Sequence, residues 1–277
     1  MSQEFRKALV LGHRGMLGHV VLRYLRNQGL TVSTLEARYR EEDDQPFWAA
    51  MNSVEPDLVI NCIGLIKQKS SSLRDLLSLN AAFPLLLRLH LPPEVLLVQP
   101  STDCVFAGDR GWYEANELPN ATDNYGVSKA LGEAVVHYPN TLLIRSSIIG
   151  PELSGRYGLL AWFLAHPDGS RIQGFTHHRW NGITTLEWCN ILARALGMRN
   201  QMTASLVQVG TDRIYTKAEV LHLLASSFNR DLHVVDAASG VPIDRSLKPS
   251  WPCRPLEVQL EELAEWMGRG TGWVTGR

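Results

Sequence analysis

The sequence predicts an α/β protein, with a doubly wound parallel sheet followed by a smaller C-terminal α/β lobe. Three observations carry that expectation. Short apolar runs alternate with stretches of helical periodicity through the first half of the chain. A glycine-rich turn joins the first run to the first helix. Several runs are apolar on consecutive residues, as in parallel strands buried on both faces.

The elements can be taken in order. Lys7 to Leu11 is apolar and ends in Gly12-His13-Arg14-Gly15-Met16-Leu17-Gly18. Leu17, Val20, Val21, Tyr24 and Leu25 then recur at helical spacing, and Gly29 supplies a stop. Leu30 to Leu35 reads as the next strand. Strand, glycine turn, helix and strand open a Rossmann-type dinucleotide-binding unit. The spacing is GxxGxxG, but the duties are those of GxGxxG: a tight turn, close approach of backbone N–H groups to a pyrophosphate, and close helix packing. Further strands are expected at Leu58 to Asn61, Val95 to Gln99 and Leu142 to Arg145. Asn61, Ser101-Thr102 and Ser146-Ser147 fall at strand C-terminal ends, where ligands of such sheets bind. Cys62-Ile63-Gly64 fits as backbone lining of the cofactor groove.

After Gly150-Pro151 the texture changes. Helices at Leu159 to Leu164, Thr185 to Leu196 and Lys217 to Phe228 mix with short strands near Arg171 to Phe175, Leu206 to Gly210 and His233 to Val235. The expected division is a dinucleotide-binding domain over 1–150 and a substrate-binding lobe over 151–277, with the helix near 185–196 returning to the first. Leu256 to Met267 reads as packing or oligomer surface, a homodimer being the assembly considered.

Composition bounds the function. The chain has 277 residues, enough for one large core or a main domain with a lobe. A net charge of −1 gives no general field for nucleic acid or an anionic membrane. No apolar run reaches the roughly 18 residues of a spanning helix, and a signal-peptide layout is lacking. Cys62, Cys104, Cys189 and Cys253 are scattered without metal spacing, which fits a reduced, cytoplasmic setting. His177 and His178 are adjacent without a third ligand at suitable spacing, so no metal is expected.

The chemistry centres on Tyr125 and Lys129. Residues four apart on a helix share a face, and Tyr125 is the only tyrosine with a lysine at that spacing. A neighbouring ammonium favours the phenolate, so the phenol can exchange a proton nearer neutrality. Such a pair is commonly mere surface; the surrounding motifs decide otherwise.

The ordered motifs resemble the extended short-chain dehydrogenase/reductases, and within them the dTDP-4-dehydrorhamnose reductase family of nucleotide-sugar reductases. They are Gly12, Gly15 and Gly18; Asn80 in Leu79-Asn80-Ala81; Ser101-Thr102-Asp103 with Val105-Phe106; and Asn124-Tyr125-Gly126 with Ser128-Lys129 and Gly132-Glu133. The first 150 residues match well. The second half matches loosely, in Gly182-Ile183-Thr184-Thr185 and Asp244-Arg245-Ser246-Leu247. The resemblance implies NAD(P)H-dependent reduction of a 4-keto-6-deoxy nucleotide sugar in deoxysugar or cell-surface polysaccharide biosynthesis. It assigns Tyr125 as proton donor, Lys129 as holder of the nicotinamide ribose, Thr102 as hydrogen-bond donor to the reacting oxygen, and Asn80 a structural role. Gly12, Arg14, Gly15, Met16, Leu17, Gly18, Glu36, Arg38, Cys62, Ile63, Gly64, Tyr125, Lys129 and Ser147 would contact the cofactor. Asp103, Cys104, Trp180, Asn181 and Arg245 would contact the substrate.

Two features depart from the rhamnose-type pattern. Cys104 stands where an aromatic is common, and with Gly12-His13-Arg14-Gly15-Met16 it resembles GDP-fucose synthase, in which that cysteine is an epimerisation base. No histidine lies near Tyr157, where that family places its partner acid, so pocket lining is the favoured role. The second concerns the cofactor. Glu36 lies where an acid accepts adenosine ribose hydroxyls and favours NAD(H), whereas Arg14, Arg38 and Arg40 suit a 2′-phosphate. Arg14 lies inside the loop, so NADP(H) is favoured. An epimerase-reductase, and a non-catalytic dinucleotide-binding regulatory subunit such as a relative of this fold provides for methionine adenosyltransferase, are the alternatives.

Overall fold

The protein is described from a computed structural model that covers residues 5–70, 72–202, 205–238 and 240–268. In chain order β1 (Lys7–Leu11) leads to α1 (Gly18–Asn27), β2 (Thr31–Thr34), α2 (Gln45–Asn52) and β3 (Leu58–Asn61). Then come α3 (Leu73–Leu77), a π-helical turn (Ser78–Ala82), α4 (Phe83–His90), β4 (Leu96–Ser101), α5 (Asn124–Gly132) and β5 (Thr141–Arg145). The rest comprises β6 (Ile148–Ile149), α6 (Leu159–Leu164), β7 (Arg171–Phe175), β8 (His178–Trp180), β9 (Ile183–Thr184), α7 (Thr185–Gly197) and β10 (Leu206–Gln208). It ends with β11 (Tyr215–Thr216), α8 (Lys217–Ser227), β12 (His233–Ala237), β13 (Ile243–Asp244) and α9 (Leu256–Gly268).

Six strands form a parallel sheet in the order β10-β5-β4-β3-β1-β2. Val10 of β1 pairs with Thr34 of β2 on one side and with Ile60 of β3 on the other. Winding therefore reverses between β1 and β3, the switch point at which α/β sheets bind ligands. The strands are buried because both faces are covered: every residue of β3 and β5 is buried. Leu9, Leu11, Val59, Leu97 and Leu143 of the sheet pack with Phe47, Met51, Phe83 and Leu87 of the helices.

Local chemistry sets the helix ends. Gly29, at φ +81°, lets the N–H of Leu30 reach back to the carbonyl of Leu25 at 3.2 Å and close α1. Arg88, 4% exposed, closes α4 by donating to the carbonyls of Leu91, Pro92 and Val95. Asp123 caps α5 by accepting from the N–H of Gly126 at 2.8 Å. Such caps are each worth about 1 kcal/mol.

The chain forms two compact units: Met1–Ser101, Thr122–Ile144 and Cys189–Val207 make one, and Thr102–Ala121, Arg145–Trp188 and Gln208–Arg277 the other. The expected division falls at residue 150 with the helix near 185–196 returning to the first part; in these units Cys189–Val207 lies with the first and Thr102–Ala121 with the second. In the second unit β8 pairs with β11 and β13, β7 with β12, and β6 with β9. Thr216 and Glu219 form a reciprocal capping box at the start of α8. The α9 helix buries Leu256, Gln259, Leu260 and Leu263, and Gln259 accepts from the N–H of Thr184 at 2.9 Å. Its apolar side is thus packing within the unit.

Candidate functional site

The glycine turn is built as its spacing requires. Gly12 has φ +70°, and a Cβ there would lie 2.7 Å from the Cys62 carbonyl carbon and 2.8 Å from the Ile63 nitrogen. The loops after β1 and β3 therefore touch through backbone alone. A Cβ on Gly18 would overlap the Gly12 carbonyl oxygen. The N–H of Gly15 meets the same oxygen at 2.9 Å. Leu17 precedes α1 without any side-chain cap, so the first amides of that helix are left to backbone, solvent or ligand. Leu17 is buried and Met16 half-buried, while Gly64 is exposed beyond the β3 end.

Tyr125 and Lys129 stand one turn apart on α5, each half-buried. The Lys129 ammonium donates to the Pro100 carbonyl, near the end of β4, at 3.0 Å. Burial pulls its pKa down to about 8, against the attraction of Glu133 and Cys62, which pull it up. Burial in turn pushes the Cys62 thiol up to about 12 despite Lys129. Glu133 is itself buried and accepts from the Ser101 hydroxyl at 2.5 Å.

Asn80 holds this helix to the β3 loop. Its carbonyl accepts from the N–H of Leu65 at 2.8 Å, and its amide donates to the Leu65 carbonyl at 2.9 Å and to Ser128 Oγ at 3.0 Å. Ser128 passes the contact on to the Tyr125 carbonyl at 2.8 Å. The amide of Asn80 is committed to architecture. The π turn that carries it lies so close to α5 that a Cβ on Gly132 would overlap the Asn80 carbonyl oxygen. Sequence reading did not anticipate that turn, nor Glu133 and the Pro100 carbonyl as partners of Lys129. The Lys129–Glu133 spacing of four was the available signal.

Arg14 and Glu36, set against each other as marks of opposite cofactors, form an ion pair. His13 lies on the same carboxylate at 3.5 Å. Arg38 is exposed.

The remaining expected residues lie in the second unit, which begins with Thr102. There Thr102 caps a short 3₁₀ turn (Asp103–Val105), accepting from the N–H of Cys104 at 3.2 Å. Its hydroxyl donates to Asp103 Oδ1 at 3.0 Å. Asp103 is 6% exposed, and burial pushes its carboxyl up against Thr102, Arg245, Ser147 and Cys104, all of which pull it down. Asp103, expected against substrate, thus serves the turn itself. Ser147, expected on the cofactor, is one of the groups that favour the ionised Asp103, and its carbonyl accepts from the N–H of Ile183 at 2.9 Å. The Cys104 thiol shares the carboxylate.

Asn181, expected against substrate, acts as a clamp within the second unit. It is 2% exposed; its amide donates to the carbonyls of Thr211 and Leu247 at 2.9 and 2.7 Å, and its oxygen accepts from Leu247 at 2.9 Å. Trp180 is half-buried, with its indole where a Gly182 Cβ would stand. Arg245 donates through Nε to the Phe106 carbonyl at 2.9 Å, which leads its guanidinium past Gly108. The loop bearing Gly108 is wound on Tyr113. The phenolic oxygen, on a ring only 2% exposed, accepts from the N–H groups of Gly108, Asp109 and Arg110 at 3.1–3.3 Å and donates to the Asp109 carboxylate. Tyr113 stacks on Phe106 at 4.2 Å, and Trp112 projects beside it at φ +51°.

None of the four cysteines forms a disulfide. Among the described residues no cluster of three metal-ligating side chains occurs, and no helix is long and apolar enough to cross a membrane.

Comparison with known proteins places this geometry. The solved dTDP-4-dehydrorhamnose reductase of Bacillus anthracis, in complex with NADP, superposes with a TM-score of 0.80 at 16% identity, covering 93% of this chain and 98% of that one. A dTDP-4-dehydrorhamnose reductase of Clostridium acetobutylicum gives 0.77 at 17% identity, covering 95% and 99%. These likenesses establish the fold. In sequence the chain is 30% identical over 161 residues to the probable low-salt glycan biosynthesis reductase Agl14 of Haloferax volcanii, 51% of this chain and 53% of that protein. The chain thus spans about half the length of that curated relative. The family described as RmlD substrate binding domain matches residues 6–154, more than half of the 277, and the protein belongs to that family.

Proposed function

We propose that this protein is an NAD(P)H-dependent reductase of a 4-keto-6-deoxy nucleotide sugar, serving deoxysugar or cell-surface polysaccharide biosynthesis. The observation that carries the reading is Lys129. A buried ammonium shares one helix face with Tyr125, at the β4 end, on a helix tied through Ser128 and Asn80 to the loop after β3. That loop abuts the glycine turn. The names of the relatives, reductases of dehydrorhamnose and of glycan assembly, and an NADP complex among them, lend support.

The residues fit a dinucleotide. The glycines of the turn leave no room for side chains, and the first amides of α1 lack side-chain caps. Gly12, Gly15, Met16, Leu17 and Gly18 would hold the pyrophosphate, and Cys62-Ile63-Gly64 would line the groove. The bound nicotinamide supplies a hydride to the ketone carbon. Tyr125 gives its proton to the oxygen that becomes a hydroxyl. The Lys129 ammonium holds ribose hydroxyls and eases loss of the tyrosine proton. Thr102 donates a hydrogen bond to the same oxygen, where negative charge develops. Trp180 and Arg245 are the substrate contacts retained in this reading, with Arg245 for the diphosphate. NADP(H) is the favoured cofactor, Arg14 exchanging Glu36 for the 2′-phosphate; NAD(H) would leave that pair in place.

The test follows loss of the nicotinamide absorbance with NADPH and with NADH, against 4-keto-6-deoxy sugars on dTDP, UDP and GDP. Turnover with one nucleotide is expected. Cofactor binding without turnover of any of them would overturn the reductase reading in favour of a dinucleotide-binding subunit.

A further inference from the structure

The hydrogen bond at Thr102 runs the wrong way for the role just described. A hydroxyl has one proton and two lone pairs. At Thr102 the proton points to Asp103 Oδ1, and one lone pair takes the N–H of Cys104. What remains for an approaching carbonyl oxygen is the second lone pair, which repels it. Reversing the Thr102–Asp103 bond resolves the count. If the carboxyl carries a proton and donates it, both Thr102 lone pairs are filled, and its own proton has nowhere to go but the substrate oxygen.

The surroundings favour that reversal. Asp103 is 6% exposed, and its carboxyl is held by Ser147, Cys104 and Thr102, with Arg245 as the charged side chain that acts on it. Arg245, following β13, favours the ionised form; Ser147, following β5, can accept or donate. Burial outweighs these and raises the carboxyl above its ordinary range. A neutral carboxylic acid in a dry site is a recognised hydrogen-bond donor near an oxyanion.

We propose that Asp103 is a positioning residue that sets the direction of the Thr102 hydroxyl: when protonated it donates to Thr102 Oγ1 and turns that residue's proton to the substrate oxygen, and when ionised it keeps the proton for itself. No proton passes between them during turnover. Tyr125 loses one to the new hydroxyl, and Thr102 and Asp103 end with those they began with. The inference rests on the reductase reading, and its test separates the two.

Two measurements test it. The first is the pH dependence of kcat in wild type, Asp103→Asn, Asp103→Leu and Thr102→Val. Below about pH 8, where Lys129 is still an ammonium, Asn offers a permanent donor to Thr102, so Asp103→Asn should hold a steady rate where the wild type declines with rising pH. Thr102→Val should be slower by about tenfold or more, as expected for one hydrogen bond to a charged group, and Asp103→Leu should resemble it. A decline in Asp103→Asn that parallels the wild type, or a rate equal to that of Asp103→Leu, overturns the proposal. The second is the carboxyl ¹³C titration of Asp103, assigned by its loss in Asp103→Asn. A midpoint within the pH range of turnover supports it, and one below that range, where the carboxyl is ionised throughout, overturns it. The titration needs no substrate, so a raised midpoint without turnover would sink the reductase reading and leave the state of Asp103 established.

Discussion

The two compact units fix their functional side chains by different means. In the first unit backbone meets backbone at the glycine turn and behind α5, with Gly12 against Cys62-Ile63, Gly18 against Gly12 and Gly132 against Asn80, and the side chains of Asn80 and Lys129 add bonds to Leu65 and Pro100. In the second unit the fixing bonds run from side chain to backbone over long separations, Asn181 to residues 211 and 247, and Gln208 to residues 113 and 248. The first arrangement is intolerant of added atoms; the second is intolerant of removed ones. That contrast sorts what substitutions should do.

The largest effect should come from the chemistry itself. Tyr125→Phe removes only the phenolic oxygen that would carry the proton, so turnover should fall about a hundredfold or more while cofactor affinity, read by fluorescence titration, stays near wild type. Near-full turnover would end the assignment of Tyr125. Next is Asn181→Ala, which strands three buried backbone groups in the second unit. Loss of about 3 kcal/mol of unfolding free energy is expected in a urea titration. A loss below about 1 kcal/mol would show that side-chain clamps are not what holds that unit.

Lys129 gives a sharper test, because two properties should move in opposite directions. Burial holds its pKa in the folded protein at about 8, below the ordinary lysine value of 10.5. A depressed value contributes stability above the unfolded pKa and loses it as pH falls through the folded one, so the cofactor-free protein should gain stability between about pH 8 and 10.5 relative to Lys129→Met. Over the same range the ammonium disappears and cofactor affinity should fall. If both rise together, Lys129 does not hold the ribose as a cation. Cys62, pushed up to about 12, stays protonated across that range. The smallest effect is expected at the exposed Arg14–Glu36 pair. Glu36→Gln releases Arg14 and His13 and should raise the NADPH-over-NADH preference about threefold to tenfold, the gain shrinking with added salt. No change would place the 2′-phosphate elsewhere.

The same contrast explains what the sequence disclosed. The strand–turn–helix opening, the burial of β3 and β5, and the Tyr125–Lys129 face depend on residues within a few positions of each other, where spacing is informative. Even so, Arg14 and Glu36 read separately as rival signals, because only the fold shows that they neutralise each other. Asn181 beside Trp180 looked like ligand lining, since nothing local reveals partners 30 and 66 residues away. Asp103 read as a substrate contact for the same reason: Ser147 and Arg245, which act on its carboxyl, come from distant parts of the chain.

The loop wound on Tyr113 carries one further consequence. An irregular, partly exposed segment usually has amides open to water, and so exchanges hydrogens quickly and is cut readily by proteases. Here three successive amides turn inward onto a single phenolic oxygen, as spokes onto a hub. These three amides should therefore exchange more slowly than those of an ordinary exposed loop, and the backbone that carries the neighbouring Trp112 is tied to the same hub.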